Sequence, residues 1–388
     1  MAASLGLAAG AASPDSTAAE RDAFIQKMMR SAGFPGLQVA VVKQGRVAWS
    51  ASYGHAVLDP PGPARAMRND SILYTASIGK MLTAVLVMQQ VEEGRLSLDD
   101  DIDASLPFTV RNPKWPDVPI TWRMLLTHTS SLQDDDSTFD ALYAYGRGTP
   151  PPSEKDFVEG TFEPGGRYNR GASFGAAKPG AEYSYCNTAL ELVGYALERV
   201  TDVPFETLAD RALLGPLGIR TTGYRLASLP VDRIALGYGC TPDPAGGFVY
   251  APIRVAFGRL APSRAFEANL LSVAAGADGG LYTSAGQFAR FVAMLIGGGA
   301  LDGTRILKAS SVDVLLAPSR SLVFMGRKDL AGRQVWGHTG SDPGYAAAVF
   351  FDRETGVGAI AFANAEDADY TLSRHLVDLD MRLLAWFR

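Results

Sequence analysis

Runs with strand character stand near both ends of this chain, and helical periodicity fills the middle, so any sheet has to be built from the two termini together. Near the start, residues 37–42 and 47–53 are mostly apolar runs around Lys43-Gln44-Gly45-Arg46, which reads as a β-hairpin with Gly at the turn. Near the end, residues 349–352 and 358–363 read as paired strands. A helix is expected over residues 17–32, with Phe24, Met28 and Met29 on one side. Another is expected over 369–387, with Leu372, Leu376, Leu379 and Leu383 at helical spacing. Between them the pattern predicts helices over 77–93, closed by Gly94, and over 120–130, 188–200, 205–213 and 284–296. The expectation is an α/β sheet domain from residues 17–75 and about 215–388, with a mainly helical domain, about 76–214, inserted.

With 388 residues, 47% of them hydrophobic, the chain can bury a large core. Charged residues make up 20%, the formal net charge is -5, and no Lys/Arg block stands out, which argues against a nucleic-acid partner. No apolar run reaches the roughly 18 residues of a membrane helix. Only Cys186 and Cys240 are present, and none of the histidines 55, 128, 338 and 375 sits in an HExxH pattern, so neither a disulfide framework nor a catalytic metal is expected. No organic cofactor is expected either. Residues 1–16 read as a disordered tail or the remnant of an export signal. Ala9-Gly10-Ala11 resembles a cleavage site but the basic start is missing, and periplasmic or secreted placement is favoured over cytoplasmic.

Three short motifs carry chemistry. Ser77-Ile78-Gly79-Lys80 puts a hydroxyl and an ammonium on one face of a helix start, where free N–H groups favour an oxyanion. A serine needs such a neighbour to become a nucleophile. Tyr185-Cys186-Asn187 follows Pro179-Gly180. A Tyr hydroxyl relays protons where a nearby cation favours its phenolate, and Asn offers donors and an acceptor to a substrate amide. His338-Thr339-Gly340 lies in an extended stretch before Asp342-Pro343-Gly344. A strand edge there can pair with a substrate backbone, and the N–H of Ser341 can serve as an oxyanion donor. Taken singly, each motif also fits a bland reading: a solvated pair, a core Tyr with a capping Asn, an ordinary turn.

In this order and spacing the three motifs resemble the class C β-lactamases and their relatives, the serine DD-peptidases, D-amino-acid peptidases and β-lactamase-like (family VIII) esterases. The segments LLTHTSSL at 125–132, PLGI at 216–219, GGLYTSAGQFARF at 279–291 and GHTGSDPGY at 337–345 strengthen the likeness, which runs from about Thr17 onward. The resemblance implies an antiparallel sheet flanked by helices, a helical domain alongside, and the site at their junction. It implies Ser77 as nucleophile, Lys80 as its proton partner and Tyr185 as general acid/base. Asn187, His338, Thr339, Gly340 and Ser341 would bind substrate, with the N–H groups of Ser77 and Ser341 as oxyanion hole.

One departure matters: class C β-lactamases begin the third motif with Lys, and here it begins with His338. His is charged only in part near neutral pH, so a substrate carboxylate is served less well. Small carboxylic esters are therefore favoured as substrates, then D-amino-acid peptides or amides, then β-lactams. A slow-turnover penicillin-binding sensor is the alternative. Other candidates read as structural: His128 as a loop anchor, Cys186 as packing, Asp134-Asp135-Asp136 as a solvated acidic loop. Trp336 fits acyl pocket and core equally. The Gly/Pro-rich stretch 134–182 is expected to form part of the site wall.

Overall fold

The computed structural model describes residues 17–135, 142–148, 152–169, 171–273 and 276–388. The expectations for residues 1–16 and for Asp136 lie outside the described residues.

The chain opens with helix α1, Ala18–Ala32, started by a capping box between Thr17 and Glu20 and stopped by Gly33 in the left-handed region. Strands β1 (Gly36–Lys43) and β2 (Arg46–Val57) follow as the expected hairpin. Its turn places Gln44 and Gly45 both at positive φ, the primed geometry that matches strand twist. The two-residue strand β3, Arg65–Ala66, closes that side. A 3-10 turn, Ala76–Gly79, leads into helix α2, Lys80–Glu92. Helices α3 (Trp122–Leu126), α4 (Glu154–Phe162), α5 (Asn187–Thr201) and α6 (Phe205–Ala209) form the helical region. The stretch 134–182 holds α4 and also the short strand β4, Tyr143–Tyr145, which pairs with β5, Leu271–Val273. Helix α7, Ala285–Ile296, is capped by Ser284. Strands β6 (Met325–Lys328), β7 (Gln334–Asp342), β8 (Tyr345–Asp352) and β9 (Val357–Ala363) precede the terminal helix α8, Ser373–Phe387.

The main sheet runs β6-β7-β8-β9-β1-β2-β3 and every pairing in it is antiparallel. The first hairpin thus lies beside the last strand, as the terminal strand runs require. Strand alternation sorts the core. Val39, Val41, Ala346, Ala348, Phe350, Ala359 and Ala361 face α1 and α8, whose Ile25, Leu376, Leu379 and Leu383 cover them. Ala40, Val349, Phe351, Ile360 and Phe362 face α7 and the helical region, against Phe288, Val292 and Leu295. Each Val, Leu, Ile or Phe side chain among them, once buried, contributes about 1.5–3 kcal/mol of hydrophobic stabilisation, and each Ala less. Trp336 belongs to this second core.

Candidate active site

Ser77 stands on the 3-10 turn at the mouth of α2, where the turn is pressed against β7. Thr75 ties it down, donating its N–H and its hydroxyl to Leu281 O at 3.0 Å each. Ala76 holds φ at +50°, a strained value for a residue with a side chain. Gly340 makes the approach possible: a Cβ there would lie 2.3 Å from Thr75 O and 3.2 Å from Ala76 Cβ. Gly340 therefore serves the protein's own backbone, a role that its place in a turn-like motif does not show.

Lys80 is fully buried and its Nζ donates to Ser77 Oγ at 2.9 Å, Asn187 Oδ1 at 2.6 Å and the Asp278 carbonyl at 2.6 Å. Three N–H bonds meet three acceptors, so the ammonium form is complete. Burial works against its charge, yet Tyr185 and the Asp278 carboxylate, 3.8 Å away, outweigh burial and hold its pKa above the usual Lys value. Tyr185 donates its hydroxyl to Ser77 Oγ at 2.8 Å. The Ser77 oxygen thus sits between an ammonium and a phenol, the arrangement for moving a proton off a nucleophile and onto a leaving group.

Asn187 begins α5. Its carbonyl faces Lys80 and its Nδ2 donates to Asp134 Oδ2 at 3.0 Å, which leaves one Nδ2 hydrogen uncommitted. Asp134 also accepts from the N–H groups of Asn187 and Thr188, at 2.9 and 2.8 Å, and so caps α5 from a distant loop. The solvated reading of this acidic run is corrected at Asp134: a helix N-terminus claims the carboxylate.

His128 anchors the Tyr185 segment from both sides. Its carbonyl accepts from Ser184 N–H at 2.8 Å, its Nδ1 accepts from Cys186 N–H at 3.2 Å, and its ring lies 4.5 Å from that of Tyr185. The loop-anchor reading agrees with this. The Cys186 thiol, pushed well up by burial and by Asp134, stays protonated. His338 is 1% exposed, and its Nδ1 lies 2.5 Å from Thr339 O, so Nδ1 carries the proton and Nε2 the lone pair. Burial first and Lys80 next push His128 and His338 down to about 3. The expectation that His338 is partly charged near neutral pH is therefore corrected. The imidazole is neutral because burial penalises its charged form and a cation sits close by.

Strand β6 pairs with β7 only as far as Gly337, so the outer edge of β7 is open from His338 onward. Asp342 and Tyr345 are register partners flanking a two-residue hairpin turn, the position that such a turn closes with a hydrogen-bonded pair. Alternation then turns the main-chain groups of Thr339 and Ser341 toward the open edge. The Ser341 hydroxyl points elsewhere, to Glu366. Past the motif, Asp342 accepts from Tyr74 at 3.0 Å and from Tyr143 of β4. Burial and nearby Asp278 push its carboxyl up to about 7. A cleft of about 530 Å³ leads to Tyr185 and His338 between Tyr183, Phe324 and Met325.

The beta-lactamase family model matches residues 21–380. The chain belongs to the beta-lactamase family. Within it, an uncharacterised protein of Mycobacterium tuberculosis is 27% identical over 287 residues, covering 70% of this chain and 65% of that one. Esterase EstB of Burkholderia gladioli is 29% identical over 264 residues, covering 65% of this chain and 64% of that one. The chain thus spans just under two thirds of the length of these curated relatives. The octameric penicillin-binding protein homologue of Pyrococcus abyssi superposes with a TM-score of 0.72 at 22% identity, over 95% of this chain and 77% of that one. The D-amino acid amidase of Ochrobactrum anthropi SV3 gives 0.70 at 19% identity, over 94% and 98%. The seven-stranded antiparallel sheet with its helices is the fold that this chain shares with these solved structures.

The motifs do not include Asp134, Asp278 or Asp342, all of which touch motif residues or shape their field. Asp278 stands in a Gly-rich run, GADGG, whose small residues are the one signal of close packing. Gly279 does approach the turn, and a Cβ there would lie 2.9 Å from Ala76 O. Among the described residues no His, Cys, Asp or Glu group is placed to hold a metal ion, and no helix is long and apolar enough to cross a membrane.

Proposed function

We propose that this protein hydrolyses small carboxylic esters through an acyl-Ser77 intermediate, with D-amino-acid peptides or amides as the next class. The observation that carries the reading is the Ser77 oxygen held between Lys80 Nζ and Tyr185 Oη, at 2.9 and 2.8 Å. The Lys80 ammonium has no vacancy for another proton, so Tyr185 is the group that takes the Ser77 proton. Tyr185 can do so once its own hydroxyl proton has passed to solvent water, and Lys80 steadies the negative charge that it then carries. The freed Ser77 oxygen bonds to the acyl carbon. The carbonyl oxygen, now anionic, is held by the N–H groups of Ser77 and Ser341. Tyr185 passes its proton to the leaving oxygen as that bond breaks. Water then enters and gives a proton to Tyr185 as its oxygen bonds to the acyl carbon; the bond from that carbon to Ser77 Oγ breaks, the acid leaves, and Ser77 takes the proton back from Tyr185.

Neutral His338 supports esters over β-lactams. With its one proton committed to Thr339 O, the neutral imidazole leaves only the Nε2 lone pair and donates nothing to a substrate carboxylate, where a charged partner contributes about 1.5–3 kcal/mol. The kinship with an enzyme named as an esterase points the same way.

The test is a panel of p-nitrophenyl esters, D-amino-acid p-nitroanilides and a chromogenic cephalosporin, run beside Ser77→Ala. Esters should turn over fastest and Ser77→Ala should turn over none. A fluorophosphonate label should map to Ser77. Its appearance on Ser341 or Cys186 would sink the mechanism. A single burst with every substrate and no steady turnover would favour the slow acyl trap.

A further inference from the structure

Behind Lys80, on the side away from the open edge of β7, three carboxyl groups meet inside the protein. Glu191 on α5 is 0% exposed, Glu154 at the first turn of α4 is 3% exposed, and Asp278 is 6% exposed. The Asp278 N–H donates to Glu191 Oε1 at 3.3 Å, and its carboxylate faces Lys80. Gly194, one helical turn past Glu191, makes the space. A Cβ there would lie 2.7 Å from Glu154 Oε1 and 2.4 Å from Ala277 Cβ.

Counted as ionised acceptors, these groups are badly served. Both Glu154 oxygens, Glu191 Oε2 and Asp278 Oδ1 are buried with no donor among the described residues. The groups facing the pair are Lys80 of α2 across Asp278, Glu198 further along α5, and the buried Tyr224 hydroxyl. Arg147, Lys155 and Arg225 line the same cleft as Glu154 but pair with Glu267, Glu159 and Glu206. Lys80 already spends its N–H bonds on Ser77, Asn187 and the Asp278 carbonyl. Two carboxylates in contact, dry and without their own cation, do not both ionise, but a carboxylic acid donating to its neighbour satisfies both.

We propose that Glu154 and Glu191 form a proton-sharing pair, with Glu191 as donor, that spares Lys80 the field of two further negative charges. They are positioning residues. Their ionisation would draw Lys80 Nζ off Ser77 Oγ toward the carboxylates and oppose negative charge on Tyr185. The directions of titration agree. Burial and Glu154 push Glu191 well up, and burial above all pushes Glu154 up to about 8. A raised carboxyl pKa means that the folded state holds the proton. Stability from the pair is whole below the unfolded value of 4.5 and declines as pH climbs toward 8.

The coupling to catalysis rests on the proposed roles of Lys80 and Tyr185, whereas the shared proton does not, so two kinds of measurement are needed. Glu154→Gln, Glu191→Gln and the double variant keep shape and remove ionisation. The wild-type-minus-variant infrared difference at pH 7 should contain a carboxylic-acid C=O band. Each variant should gain Tm over wild type as pH rises from 6 to 9. The alkaline fall of kcat/KM on a neutral ester should move at least one pH unit higher in the double variant. No acid band, or variants less stable than wild type at pH 9, would overturn the shared proton. With band and Tm as expected, an unmoved alkaline limb would overturn the link to Lys80. An enzyme inert on every substrate while the band persists would count against the hydrolase reading and against the link, and leave the shared proton standing.

Discussion

The two flanks of Lys80 hold titratable groups of opposite kind under the same dryness. On the Tyr185 side, burial and then Lys80 push His128 and His338 down to about 3, and both imidazoles are neutral. On the α4 side, burial pushes Glu154 and Glu191 up. Lys80 between them keeps its charge, because Asp278 and Tyr185 lie close and three acceptors take its three N–H bonds. The difference teaches that burial removes charge of either sign, and that a charge survives inside only with its own partners. Around the Ser77 oxygen the one charged group in contact is therefore Lys80, with two neutral imidazoles nearby.

The most severe way to break this picture is to remove its centre. Ser77→Ala should lower kcat by about 10⁴-fold or more, the scale seen when a nucleophile is deleted. Residual hydrolysis within tenfold of wild type, with Ser77→Ala shown free of wild-type enzyme, would move the nucleophile elsewhere. Next, Lys80→Ala and Tyr185→Phe should each lower kcat by at least about 10²-fold with the fold intact. A near-normal rate in either variant on a good ester would cancel that residue's role.

The third test sharpens the contrast between flanks through pH. A His with a depressed folded pKa contributes stability that is whole above its unfolded value of 6.5 and is lost as pH falls toward about 3. At pH 5 that is about 2 kcal/mol for each buried imidazole. Denaturant unfolding of wild type and His338→Gln should show the gap between them narrowing by about that amount from pH 7.5 to pH 5. A gap independent of pH would mean that His338 is not held neutral. The α4 side has the opposite sign, so the two flanks limit the stable range from opposite ends.

The smallest effect concerns selectivity. The ratio of cephalosporin to neutral-ester kcat/KM should be flat between pH 6 and pH 8 in wild type, since His338 does not titrate there. In His338→Lys the ratio should rise at least roughly tenfold, because a charge-assisted hydrogen bond of about 1.5–3 kcal/mol is added where the Nε2 lone pair donates none. A wild-type ratio that rises toward pH 6 would restore the partly charged histidine that an imidazole in water implies.

Much of this architecture is legible in the sequence because its signals are local. Thr17 and Glu20 cap α1, Gly45 turns the first hairpin, Ser284 caps α7, and the apolar alternation of the last strands assigns them to a two-faced sheet. Where local preference is overruled, the reading shifts. The helix expected over 120–130 shrinks to Trp122–Leu126, because His128 and Ser131 take positive φ to hold the Tyr185 segment. The helix expected from Ser77 begins as a 3-10 turn, because the chain must clear β7 at Gly340. Strand β4 was invisible, since its partner β5 is far away in sequence and its own three residues carry no periodicity.

By itself the sequence determined the fold class, the three motifs and their order, since each depends on residues only a few positions apart. Tertiary structure alone decided the electrostatics. Whether His338 carries charge, whether Asp134 faces water or a helix end, and whether Glu191 keeps its proton depend on solvent exclusion by segments dozens to hundreds of residues away. Desolvation and Coulomb interaction act through space, so a residue's type fixes the charge available to it and only its burial and neighbours fix the charge it bears.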